Sequence, residues 1–169
     1  KKYNQDRAKV STVQNAAEPL APGVMAINPE RGIKDKVVTF IGRITMQKGP
    51  EYFVEAAARV LERASHIQFV IAGSGDMMEK MITLAANKGI SDRFHFTGFL
   101  KGKQVYEMLK RSDVYVMPSV SEPFGISPLE AMQCNIPTII SKQSGCAEIL
   151  DKAVKIDYWD VEAMADAIY

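Results

Sequence analysis

From Lys36 onward, short apolar runs alternate with stretches whose apolar residues recur at helical spacing, and this alternation narrows the possible folds most. Val37 to Gly42 (VVTFIG) reads as a strand. Over Glu51 to Ala64, Phe53, Ala57, Val60, Leu61 and Ala64 then fall on one helical face. The pattern repeats with strands at Gln68 to Ala72, Phe94 to Thr97, Val114 to Met117, Thr138 to Ser141 and Ala153 to Ile156. Between them come helical stretches near Asp76 to Lys88, Lys103 to Arg111, Ile126 to Cys134 and Gly145 to Leu150, with a last one at Val161 to Ile168. Strands apolar on both sides must bury two sheet faces. Amphipathic connections of helical length supply the cover, so the expected fold is α/β: a doubly wound, Rossmann-like parallel sheet in a single domain. In such sheets ligands sit beyond the carboxyl ends of the strands, which directs attention to the loops that follow them.

Composition bounds the partners. At 169 residues and 47% hydrophobic content the chain can bury one core, and 21 Lys and Arg against 20 Asp and Glu leave a formal charge of +1. That balance provides no bulk field for nucleic acid or an anionic membrane, so any anion site must be local. Cys134 and Cys146 lack metal-ligand spacing, and no metal is expected. No secretory or transmembrane stretch is evident, which makes the cytoplasm the expected compartment. The chain opens at Lys1 without Met and stops at Tyr169 inside a helical pattern, as a piece of a longer protein would. Residues 1–35, punctuated by Pro19, Pro22, Gly23, Pro29 and Gly32, read as a linker with one short strand around Val10 to Val13.

Two loops carry candidate chemistry. After the first strand, Gly42-Arg43-Ile44-Thr45-Met46-Gln47-Lys48-Gly49 places two cations five residues apart. An Arg fork and a Lys point charge suit a diphosphate; both also read as solvated loop charges. After the fourth strand comes Ser121-Glu122-Pro123-Phe124-Gly125-Ile126-Ser127-Pro128-Leu129-Glu130, with seven residues between the two acids. Gly125 allows close backbone approach, and amides at the start of the next helix offer donors to phosphate oxygens. Glu122 can then hold sugar hydroxyls or be a surface acid. Glu130 can accept from a ribose, or close a capping box that begins at Ser127 with Pro128 at the first helical position.

Weaker signals lie on the same edge. Gly73-Ser74-Gly75 lacks the third glycine of a dinucleotide fingerprint and reads as a tight turn capped by Asp76, with ligand approach as the alternative. Gly98-Phe99-Leu100 either exposes backbone to a base or turns the chain, and the small residues of Gln143 to Glu148 leave room for a sugar. His66, in a loop, and His95, in a strand, belong to no catalytic triad pattern. Phe53, Phe69, Phe94, Phe96, Tyr115 and the methionines read as packing.

Taken together, Gly42-Arg43 with Lys48-Gly49, Ala72-Gly73-Ser74-Gly75, Phe96-Thr97-Gly98, and Glu122-Pro123-Phe124-Gly125 through Leu129-Glu130-Ala131-Met132 resemble family-four glycosyltransferases, which include glycogen and sucrose synthases. The resemblance covers roughly Lys36 to Tyr169, and the Glu-x7-Glu element is its most specific part. Val10 to Glu18 is similar to the family's interdomain segment, from which Ala16 and Glu18 depart. The resemblance implies one half of a GT-B fold, with residues 1–35 as interdomain linker and 36–169 as the nucleotide-sugar (donor) binding domain. It implies that Arg43 and Lys48 contact the donor diphosphate, Glu122 faces the sugar, and these three serve catalysis. Glu130 would bind the ribose, Phe124, Gly125, Ile126 and Ser127 would hold sugar and phosphate, Gly98 and Phe99 would line the base pocket, and Gly42 would be a further donor-binding residue. It further implies retaining hexosyl transfer with no metal and no cofactor beyond the nucleoside-diphosphate sugar substrate. The acceptor would be held by an N-terminal domain of the same protein, leaving this piece inactive alone. Two other readings compete: another GT-B nucleotide-sugar enzyme such as an epimerase, and a non-catalytic sugar-nucleotide-binding module. A response-regulator-like or dinucleotide-binding domain is disfavoured, because the first strand ends in neither an acidic pair nor a full glycine fingerprint.

Overall fold

The computed structural model describes residues 35–169 together with Ser11, Val13, Asn15, Ala16, Ala17 and Pro19. Six strands, β1 (Lys36–Ile41), β2 (Ile67–Ala72), β3 (Phe94–Gly98), β4 (Val114–Met117), β5 (Thr138–Ser141) and β6 (Val154–Ile156), form one sheet in the order β3-β2-β1-β4-β5-β6. Every pairing is parallel, as the run of apolar strands separated by helices requires. β1 lies between β2 and β4, so the winding reverses at β1 and β4 and a crevice opens between their following loops.

Five helices cover the sheet: α1 (Pro50–Arg63), α2 (Met78–Asn87), α3 (Lys103–Lys110), α4 (Ser127–Gln133) and α5 (Val161–Ile168). Alternation along each strand sends side chains to both faces. On one face Val38, Phe40, Phe69, Ile71, Val116 and Ile139 pack with Phe53, Val60, Met81, Met164 and Ile168. Within this cluster Phe53 sits 5.8 Å from Phe69 and 6.3 Å from Phe94, centroid to centroid. Tyr115, Met117 and Ile140 face the other way, against Leu109, Ala131 and Cys134. Each fully buried large side chain removes about 2 kcal/mol of unfavourable hydration.

Several expected boundaries move. The tight turn at Gly73 to Asp76 is present, but α2 begins at Met78 and Asp76 caps nothing. The turn is held instead by its neighbour: Ile44 N–H donates to the Ser74 carbonyl at 2.9 Å, and Met77 N–H to the Ile44 carbonyl at 3.0 Å. α4 begins at Ser127 with Ile126 as its cap residue and no side-chain cap, so the expected capping box does not form. The stretch expected as helical at Gly145 to Leu150 is a 3-10 turn over Gly145–Glu148, and further 3-10 turns occur at Met46–Lys48 and Ser91–Arg93. Val10 and Thr12 of the expected first strand lie outside the described residues, while Ser11 and Val13 belong to no strand.

Candidate functional site

The loops after β1 and β4 are bound together through the backbone. Val120 and Ser121 N–H both donate to the Gln47 carbonyl, at 2.9 and 3.3 Å. Gly49 follows the 3-10 turn with φ of 63°, and a Cβ there would collide with the Pro118 carbonyl oxygen. Only glycine meets both demands, which is why Lys48-Gly49 ends this loop. The outcome is that Lys48 and Glu122, 74 residues apart in sequence, form an ion pair at the crevice. Their side chains are only 17% and 12% exposed. Glu122 also accepts from Phe124 N–H at 3.4 Å.

Arg43 takes a different position. It is exposed, forms no ion pair among the described residues, and lines a cavity of about 270 Å³ with Gly42, Gly73, Ser74, Phe99 and Leu100. This cavity lies beyond the carboxyl ends of β1, β2 and β3. Phe99 is 71% exposed, which leaves its ring available to a planar ligand. Gly98 is adjacent, but its carbonyl already accepts from Gly73 N–H at 2.8 Å.

The segment from Phe124 to Ser127 offers fewer free groups than its sequence suggested. The Phe124 side chain is buried and its carbonyl accepts from Cys146 N–H at 2.8 Å. Gly125, at φ of 92°, and the exposed Ile126 have amides that take no partner among the described residues. Ser127 Oγ accepts from the buried Tyr115 hydroxyl at 2.8 Å and retains its own proton for donation. Glu130, half-buried on α4, accepts a hydrogen bond from the Tyr106 side chain of α3. Burial raises the Glu130 pKa above the usual carboxyl range, and the Tyr106 hydrogen bond opposes that rise.

The loop after β5 packs against the loop after β4. Its small residues make room for the loop after β4: Ser144 bridges Glu122, Gly145 N–H donates to the Glu122 carbonyl at 2.9 Å, and Gly145 packs on the Pro123 carbonyl. Ser141 Oγ donates to the Ser119 carbonyl at 2.6 Å and sits 2.7 Å from Ser144 Oγ, tying the two loops at their base. Cys146 lies buried beneath them, its thiol pushed up to about 11 by desolvation first and by Glu122 second. Two groups escape a reading of the sequence alone: Tyr115, assigned to packing yet also a donor to Ser127, and Tyr106, the partner of Glu130. Ser74, part of the weak Gly73-Ser74-Gly75 signal, lines the cavity beside Arg43.

With this geometry in place, the comparisons with known proteins agree. The family model for "Glycosyl transferases group 1" matches residues 26–169. An uncharacterized glycosyltransferase of Methanocaldococcus jannaschii is 37% identical over 161 residues, 90% of this chain and 41% of the relative. Among solved structures, the C-terminal domain of the group 1 glycosyl transferase LpcC from Francisella tularensis superposes with a TM-score of 0.74 at 22% identity, covering 82% of this chain and 76% of that one. A mutant of S. aureus TarM, in complex with fondaparinux, α-GlcNAc-glycerol and UDP, gives 0.80 at 19% identity over 99% of this chain and 33% of that one. Identities this low establish the fold alone. The chain spans about two fifths of the length of the curated relatives it matches, 41% of the first and 36% of the second. Among the described residues, no helix is long and apolar enough to cross a membrane.

Proposed function

Since this chain belongs to the group 1 glycosyl transferases, we propose that it is the donor-binding half of a retaining, metal-independent hexosyltransferase that uses a nucleoside-diphosphate sugar. The observation that carries this reading is the meeting of Lys48 and Glu122 at the reversal point of the sheet, with Arg43 open to the neighbouring cavity. Arg43 and Lys48 neutralise the charge that grows on the departing nucleoside diphosphate. Side-chain cations at the position of that charge support transfer without a metal. Glu122 accepts from hydroxyls of the donor sugar, and the free amides of Gly125 and Ile126, with the Ser127 hydroxyl, contact sugar and phosphate. Glu130 accepts from the ribose hydroxyls, and Gly42, Gly98 and Phe99 border the base. A neighbour of the same fold carries UDP, which supports a nucleotide ligand here.

The acceptor wall belongs to a second domain of the full protein in this proposal. Met46 at 71%, Phe99 at 71% and Ile126 at 46% exposure all lie on loops that follow strands, where such a partner would cover them. Without that wall, positioning and water exclusion both fail, so the chain alone binds donor weakly and does not transfer. The relatives' names count against an epimerase or a non-catalytic module. Two free, buried thiols support the cytoplasm as the compartment. Calorimetric titration with UDP, GDP and ADP, with and without magnesium, tests the proposal. One base should be preferred, magnesium should change little, and Glu130→Ala should weaken binding at least ten-fold. Failure of all three nucleotides to bind would remove the assignment.

A further inference from the structure

We infer that the Lys48–Glu122 ion pair makes this site discriminate between a nucleotide sugar and the bare nucleoside diphosphate, favouring the substrate over the product. The inference rests on the donor-site reading above and concerns the competition for Lys48 within that site. In the unliganded chain the Lys48 ammonium is already neutralised by the Glu122 carboxylate, with both side chains largely withdrawn from water. A diphosphate that takes Lys48 must break or share this pair. Glu122 is then left with one long hydrogen bond, from Phe124 N–H at 3.4 Å, and with new negative charge nearby. A partly buried carboxylate that loses its cation is costly. A sugar attached to the diphosphate brings hydroxyl donors, which replace the lost ammonium; a bare diphosphate brings none, and adds a further negative charge.

Side-chain exchange of this kind needs no loop movement. The two loops are joined by Val120 and Ser121 N–H on the Gln47 carbonyl and by the contact of Gly49 with Pro118, none of which involves the ion pair. The backbone of Glu122 is held separately, through its carbonyl to Gly145 N–H at 2.9 Å. The charge at position 122 can therefore be removed while its frame stays in place.

The test is calorimetric titration of the chain, Glu122→Gln and Glu122→Asp with UDP, GDP and ADP and with UDP-glucose, GDP-mannose and ADP-glucose. Circular dichroism establishes that each variant is folded. Removing the carboxylate should tighten binding of the preferred diphosphate on the order of ten-fold, while its sugar conjugate, which loses the Glu122 acceptor for its hydroxyls in the same change, should bind no tighter than to the parent. Glu122→Asp, which retracts the carboxylate from Lys48 but keeps its charge, should give a smaller gain, about three-fold, and serves as the decisive variant if Glu122→Gln does not fold. In a Lys48→Met background the gain from Glu122→Gln should fall below about three-fold, because the contested ammonium is gone. A chain that binds diphosphate but gains nothing in either folded variant overturns the discrimination and leaves the donor-site reading standing. Absence of nucleotide binding in every protein removes both.

Discussion

Tyr115, fully buried in β4, donates its hydroxyl to Ser127 Oγ at 2.8 Å, so the first turn of α4 is suspended from the strand that precedes it. The same hydroxyl lies 3.4 Å from the Ile41 carbonyl at the end of β1. One phenol thus connects the carboxyl end of β1 with the start of α4, the two elements from which the candidate phosphate contacts arise. Tyr115→Phe keeps the packing and removes only this link. A loss of about 1 kcal/mol in urea denaturation is expected, with nucleotide affinity reduced several-fold.

Arg43 contrasts with Lys48: it is exposed and has no ion-pair partner among the described residues. Its removal should leave the fold intact. Arg43→Ala is expected to melt within about 1 °C of the parent, while nucleotide affinity falls at least ten-fold, since a charge-assisted contact to phosphate contributes about 1.5–3 kcal/mol. Unchanged affinity in calorimetry would exclude Arg43 from the phosphate site.

Glu130 should show a trade-off between stability and binding. Burial raises its folded pKa, so its ionised form opposes folding at neutral pH, and the penalty fades as pH falls through that raised pKa. Glu130→Gln should therefore raise the melting temperature at pH 7 by about 2 °C, and by less at acid pH, where the parent carboxyl is already protonated. Nucleotide binding should weaken in the same variant. A lower melting temperature at pH 7 would show that the hydrogen bond with Tyr106 outweighs desolvation.

Gly49 has neither conformational nor spatial freedom to change. Gly49→Ala would place a methyl group at φ of 63° and against the Pro118 carbonyl, so the loops after β1 and β4 could no longer meet. A destabilisation of about 2–4 kcal/mol is expected in chemical denaturation, accompanied by loss of nucleotide binding.

Much of this protein was open to reading from local pattern. The apolar runs at Val37 to Gly42 and Gln68 to Ala72 and the helical spacing of Phe53, Ala57 and Val60 follow from the periods of strand and helix, which every residue reports through its own neighbours. The same locality placed Arg43, Lys48, Glu122 and Glu130 on loops and a helix beyond strand ends, because those positions depend only on where each strand stops. Membership of the group 1 glycosyl transferases, suggested by the order and spacing of these residues, agrees with the family match over residues 26–169.

Tertiary structure decided which of these residues meet. Lys48 pairs with Glu122 because β4 lies beside β1, a neighbour relation between strands separated by two others in sequence. Gly145 packs on the Pro123 carbonyl, Ser127 receives Tyr115 and closes no capping box, and Asp76 caps no helix. Each of those outcomes depends on a partner supplied by another loop or strand. Local spacing sets the backbone period of an element, whereas the occupant of the space beside a given atom is chosen by the packing of the whole sheet.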